Sequence, residues 1–196
     1  MIKILKDNFI SSLLGRQCYT INKFTNYDLL KKKINNLKKP FFLTVKQEKK
    51  IKKLEEKKIG ISFISKIIIF KKKFKYIENN SSSNKCRMFK LKDKVQLRTI
   101  SLENTSNSRF VIDNKFPIKF RTYFRYFWLR NFFNKKRGDF LIVCRYKKKI
   151  AGFLLLIKRN SNYQIDLIVV KKNKQNKGVG HSLIAYVNDN FMNKKN

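Results

Sequence analysis

Three apolar segments near the C-terminal end, Asp139 to Arg145, Ile150 to Lys158 and Tyr163 to Lys171, limit the folds open to this chain. They are separated only by Tyr146-Lys147-Lys148-Lys149 and Arg159-Asn160-Ser161-Asn162. A parallel neighbour needs a crossover of a dozen residues or more, whereas so short a connection closes a hairpin. The segments are therefore predicted to form an antiparallel meander. The last one, rich in β-branched residues, leads into Gln175-Asn176-Lys177-Gly178-Val179-Gly180, and an apolar-periodic helix is predicted over Gly178 to Phe191. A strand, a glycine-bearing turn and a helix N-terminus in that order bring backbone N–H groups together on an anion.

Other phosphate-binding glycine motifs do not fit. A dinucleotide fingerprint would need a third glycine where Leu183 stands, and a phosphate loop would need Lys-Ser/Thr after the glycine, where His181 and Ser182 follow Gly180. The spacing Gln-x-x-Gly-x-Gly after a meander strand resembles the pyrophosphate loop of the GNAT acetyltransferase superfamily. The resemblance implies acetyl-CoA as co-substrate, bound by Val169, Val170 and Gln175, Asn176, Lys177, Gly178, Val179, Gly180, with His181 and Ser182 behind them. It also implies that the Val169–Val170 strand splays from the strand that follows it, so that its backbone pairs with the pantetheine arm.

A narrower likeness runs through Ser108-Arg109-Phe110-Val111-Ile112-Asp113, Phe116-Pro117 and Tyr126-Phe127-Trp128-Leu129-Arg130-Asn131. These segments resemble the sugar-nucleotide branch of the superfamily, which includes dTDP-fucosamine acetyltransferase, as does Leu54 to Phe63 near the start. The branch implies an amine-bearing small-molecule acceptor, a nucleotide-linked amino sugar, with Asp113 and Asn131 on the acceptor side. No general base or acid is assigned. Superfamily members continue past the last helix with further strands and a helix, so the chain is expected to be truncated at its C-terminus, and Tyr186 is not given the proton-donor role. An unfinished sheet edge after Val170 would favour pairing, so a homodimer is a further expectation.

The resemblance and the residue patterns together give a mixed α/β (α+β) fold. A central, mostly antiparallel GNAT-like sheet flanked by helices follows a small α/β N-terminal domain. The polar run Glu78 to Lys85 marks the junction. The division expected is 1–77, a linker over 78–94, and an acetyltransferase domain over 95–196. In the first part Thr25 is expected to cap a helix over Tyr27 to Leu37. Phe41 to Val45 is read as a strand, Lys49 to Lys58 as a helix closed by Gly60, and Ile61 to Phe74 as strand-like. In the second part Val95 to Ile100 alternates like a strand, and Phe116 to Phe133 carries aromatic residues at helical spacing.

The formal charge of +36 raises a rival class, a basic nucleic-acid-binding protein. Arginine makes up only about a fifth of the basic residues, although bidentate base reading favours arginine. Lysine, asparagine and isoleucine spread over every segment suit a coding bias better, so no specific nucleic-acid partner is expected. Two further readings stay open: a GNAT enzyme acting on a protein N-terminus or small amine, and an inactive remnant. Cys18, Cys86 and Cys144 are odd in number and far apart, which indicates neither a disulfide framework nor a zinc site, and a reducing cytoplasm fits. With one histidine, His181, no metal is expected. The most apolar run, Ile59 to Phe70, is too short to span a membrane and contains Lys66.

Overall fold

The computed structural model describes residues 2–46, 51–65, 85–103 and 108–192. The chain divides into two compact units, Met1–Lys66 and Ile67–Asn196.

In the N-terminal unit, β1 (Ile4–Lys6), α1 (Asn8–Leu14), β2 (Gln17–Asn22), α2 (Tyr27–Asn35), β3 (Phe41–Lys46) and α3 (Lys53–Ile59) follow in order. The strands form one sheet, β1-β2-β3, in which β1 runs antiparallel and β3 parallel to β2. The β2–α2–β3 segment is thus a βαβ unit, the connection a parallel pair requires. Its core gathers Ile2, Ile21, Phe24 and Leu30. The cap of α2 is Asn26, not Thr25: its side chain accepts a hydrogen bond from Leu29 N–H at 2.8 Å. The strand expected from Ile61 is not formed over 61–65, and the rest of that segment, to Phe74, lies largely outside the described residues.

The C-terminal unit is built on a four-stranded antiparallel sheet, β4-β5-β6-β7, from Cys86–Met88, Phe140–Tyr146, Lys149–Arg159 and Asn162–Val170. The three long strands are the expected meander. Between β4 and β5 come α4 (Lys94–Glu103), α5 (Arg109–Ile112) and α6 (Ile118–Phe133); α7 (Val179–Val187) follows β7. Of the span 78–94 read as a linker, residues 86–88 form β4 and pair with β5. Val95 to Ile100, expected as a strand, lies in helix α4. The buried positions are Leu97, Ile100 and Ser101, at helical spacing, while Val95 is 75% exposed; the apparent alternation came from a residue that faces water.

Side-chain alternation gives the sheet two apolar faces. Leu141, Val143, Phe153, Leu155 and Val169 face Leu97, Ile100 and Leu129 from α4 and α6. Ile142, Cys144, Leu154 and Leu156 face Val179, Leu183 and Val187 from α7. Strand β6 is the centre of this sandwich, buried from Ile150 to Ile157. Among the described residues no helix is long and apolar enough to cross a membrane.

Two features fix β4. Cys86 and Cys144 are register partners across β4 and β5 and are joined as a disulfide. This corrects the expectation from cysteine spacing, because residues 58 apart in sequence become opposite only through strand pairing. Arg87 on β4 makes a bidentate pair with Asp93, at 2.7 and 2.8 Å, just before α4. Asp93 also accepts from Lys90 N–H at 2.8 Å, and its side chain is 3% exposed. The Arg87 hydrogen bonds, aided by the Lys90 amide and by the charges of Arg87 and Arg145, hold the Asp93 carboxyl below its usual range against the opposing effect of burial. A carboxylate lowered on folding stabilises above its unfolded pKa, about 3.9, and loses that contribution as pH falls through the folded value. Asp93→Asn is therefore expected to cost about 2–3 kcal/mol at neutral pH. Urea melts should show the parent losing part of its stability in acid below about pH 4, and the variant showing a flatter pH dependence there.

Candidate functional site

Strand β7 carries one acid, Asp166, among the apolar residues of its second half, and that acid shapes the strand. Leu155 faces Leu167 and Leu156 faces Ile165, so Asp166 is the extra residue of a β-bulge. Its carboxylate accepts from Trp128 Nε1 at 2.7 Å, from Arg137 Nε at 2.6 Å and from Arg137 Nη2. The Arg137 guanidinium also lies over the Trp128 ring, 5.0 Å from its centroid. The bulge is thereby tied to α6 and to the turn that leaves it. Sequence reasoning missed Asp166 and Arg137 and read Trp128 only as part of the aromatic helix, although a lone aspartate between Ile165 and Leu167 was a visible signal.

Beyond the bulge β7 pairs with β6 through Val169↔Phe153 and Val170↔Gly152. A Cβ at Gly152 would stand 2.8 Å from the Val169 carbonyl oxygen, 3.0 Å from Val179 Cγ1 and 3.3 Å from Val170 Cγ2. The end of β7 and the start of α7 can close on β6 only because residue 152 has no side chain. Lys171 N–H turns inward to the Ala151 carbonyl at 2.7 Å. By strand alternation the Val170 peptide groups face the outer edge, where the Gln175 carboxamide donates to the Val170 carbonyl at 3.5 Å. Among the described residues no strand pairs with that outer edge.

The turn follows at once. Residues 172–174 make one tight helical turn and Gln175 is extended. Asn176 (φ 57°) and Gly178 (φ 73°) are both left-handed, and Gly178 is the residue before α7. Two left-handed residues this close bend the backbone sharply, the kind of turn in which successive amides can converge on an anion. The first helical hydrogen bond runs from Ser182 N–H to the Gly178 carbonyl at 2.9 Å, which leaves the amides of Val179, Gly180 and His181 without an acceptor inside the helix. The positive end of the α7 dipole adds to their field. Lys172, Lys177 and His181 are exposed around the turn, while Ser182 is buried with its hydroxyl on the Gly178 carbonyl at 2.9 Å. The two glycines differ in role. Gly178 needs its left-handed φ; Gly180 does not, and a Cβ there would meet only Val170 Cγ2 at 3.8 Å.

The structure brings Val169, Val170 and residues 175–182 to one place, where β7 ends and α7 begins. It does not bring Asp113 and Asn131 together. Asp113 closes α5, its side chain accepting from Lys115 N–H at 3.0 Å, whereas the Asn131 carbonyl accepts from Lys136 N–H at 2.8 Å near the end of α6. The helix between them advances about 20 Å. Tyr186 packs against the apolar face shared with α7. Among the described residues no three His, Cys, Asp or Glu side chains are grouped to hold a metal ion.

Residues 115–196 match the family model of an acetyltransferase (GNAT) domain. No curated protein matches the chain at a significant level. Among solved structures, a functionally unknown conserved protein from Staphylococcus epidermidis is similar over 88% of this chain and 69% of its own, with TM-score 0.59 and 11% identity. The ribosomal-protein-S18-alanine N-acetyltransferase from Escherichia coli is similar over 54% of this chain, with TM-score 0.38 and 14% identity. PaiA N-acetyltransferase from Thermoplasma acidophilum, in complex with coenzyme A, is similar over 55% of this chain and 71% of its own, with TM-score 0.38 and 15% identity. The chain spans 57% of the length of the E. coli enzyme. At 11% identity the likeness to the Staphylococcus epidermidis protein is one of fold: mixed α/β, with a mostly antiparallel sheet between helices.

The bulge anchor is open to test. Asp166→Asn keeps the shape of the side chain but removes the charge that meets Arg137, and is expected to lower stability by about 1.5–3 kcal/mol in urea melts. Amide shifts in a 1H–15N spectrum should concentrate in β7 and α6.

Proposed function

We propose that the C-terminal unit is an N-acetyltransferase that moves an acetyl group from acetyl-CoA to an amine. The observation that carries this reading is the run of amides at Val179–His181 that have no acceptor inside α7, placed beyond the end of an edge strand within the segment matching the acetyltransferase family model. The turn and helix N-terminus fit a diphosphate in charge and in their lack of side-chain obstruction: Gly178 and Gly180 carry no Cβ, and Lys177 adds a point charge. The outward peptide groups of Val170, next to buried Val169, offer an extended arm a strand edge to pair with. Gln175 covers part of that edge and would turn away from the Val170 carbonyl to admit it. Ser182 holds the Gly178 carbonyl, while exposed His181 stands at the mouth of the turn without an assigned proton role. Acetyl-CoA supplies the activated acyl group; the chain supplies position and amide dipoles.

The acceptor is proposed to be the amino group of a nucleotide-linked sugar, on the strength of segments 108–113, 116–117 and 126–131. With Asp113 and Asn131 at opposite ends of α6, at most one of them can lie beside a given amine.

Calorimetry of the full chain with acetyl-CoA in moderate salt tests the reading. Saturable binding is expected, and Gly180→Asp should abolish it. This substitution is informative because residue 180 has ordinary helical backbone and room for a Cβ, so the fold survives while an acid enters the amide cluster. Binding equal to the parent's would sink the assignment. Acetylation of an amino-sugar nucleotide but not of peptide N-termini would support the proposed acceptor, and the reverse result would replace it.

A further inference from the structure

The N-terminal unit contains an open cleft of about 480 Å3, within the size range of small-molecule sites. Its walls carry Lys6, Arg16, Lys38 and Lys39, with no carboxylate among the lining residues. These four cations come from three separate segments, and the topology explains why they meet. Gln17 and Phe41 are parallel register partners, so Arg16 and the Lys38–Lys39 segment enter β2 and β3 at the same end of the sheet. Lys6 ends the antiparallel β1, opposite Tyr19. One exposed face of α1 completes the cleft with Ser12 and then Gly15, a left-handed residue with no atom within 4 Å of where a Cβ would stand.

In a chain this rich in lysine a charged surface needs no explanation, but a concave one does. Lys147 and Lys148 sit on a convex hairpin tip between β5 and β6, where like charges splay into water. The charges of the cleft surround a common space, and among the described residues no ion pair engages them. Like charges gathered around one space repel, and an anion among them turns repulsion into attraction. Arginine offers a planar fork for phosphate oxygens and lysine a mobile point charge; the Ser12 hydroxyl on the same wall is spent on the Phe9 carbonyl at 2.8 Å, so the recognition falls to the cations.

We propose that this cleft is a second binding site, for a phosphorylated small molecule whose phosphate or diphosphate group is held by Arg16, Lys38 and Lys39. It lies wholly within Met1–Lys66 and does not depend on the acetyl-CoA reading.

The test is calorimetry of the full chain at physiological ionic strength, with inorganic phosphate and inorganic pyrophosphate as separate probes. Saturable binding of at least one is expected, the tighter one showing whether a mono- or diphosphate is recognised. The triple variant Arg16→Gln, Lys38→Gln, Lys39→Gln should weaken it about tenfold or more. The control Lys147→Gln, Lys148→Gln, Lys149→Gln removes the same charge from exposed positions and should leave it unchanged. All these side chains are exposed, so thermal melts should coincide. Equal losses in triple variant and control would reduce the effect to net charge and overturn the proposal. Gly180→Asp separates the two sites. If it abolishes pyrophosphate binding while the triple variant does not, the diphosphate belongs to the α7 turn and the cleft proposal fails. If the triple variant loses pyrophosphate and retains acetyl-CoA, the cleft stands by itself.

Discussion

The C-terminal unit depends on how closely backbone can approach β6. That strand is buried along its central length, with apolar side chains packed on both faces and strands on both edges. At Gly152 the packing tightens until even a methyl group would collide with the Val169 carbonyl and with Val179. The end of β7 and the first turn of α7 are therefore set against the same atom-sized gap. Whatever the α7 turn binds is positioned by that contact, because the turn is only the short connection between the two elements it fixes.

Bulges give the sheet its second constraint. On β7 the extra residue is Asp166, held by Trp128 and Arg137; on β6 the register shifts between Cys144 and Arg145 of β5, so that Ile150 and Phe153, three apart, share a face. A regular two-residue period would have sent one of them to the α7 side. Acids are few in this chain, 12 against 48 basic residues. Asp93 and Asp166 serve as buried clamps between a strand and a helix or its connecting turn, where a paired carboxylate has the most leverage. Most of the lysines stay outside, where solvent screens them.

Much of this was legible in the sequence. The meander followed from two four-residue gaps, and the position of the turn followed from glycines placed after a β-branched run. Local signals failed where the deciding contact was distant. Val95 to Ile100 alternates as a strand would, but Leu97 and Ile100 are drawn onto the sheet as a helix. Residues 4–22 carried too little periodicity to announce β1, α1 and β2. Cys86 and Cys144 carry no spacing signal, since strand pairing alone makes them neighbours. At the site, the amide run could be read because it is contiguous, whereas the Asp166 clamp draws on positions 128, 137 and 166 and could not. The acceptor residues were inferred by likeness alone, and the α6 helix holds them apart.

The two borders of the C-terminal sheet are unequal. β4 is a stub of three residues, covalently stitched to its neighbour through Cys86–Cys144. β7 is nine residues long, with its outer rim unclaimed by any strand among the described residues. Short borders discourage lateral growth and long ones invite it. The sheet is thus polarised: its one long unpaired rim is the one that ends in the α7 turn. Assembly and ligand capture would then compete for the same few peptide groups.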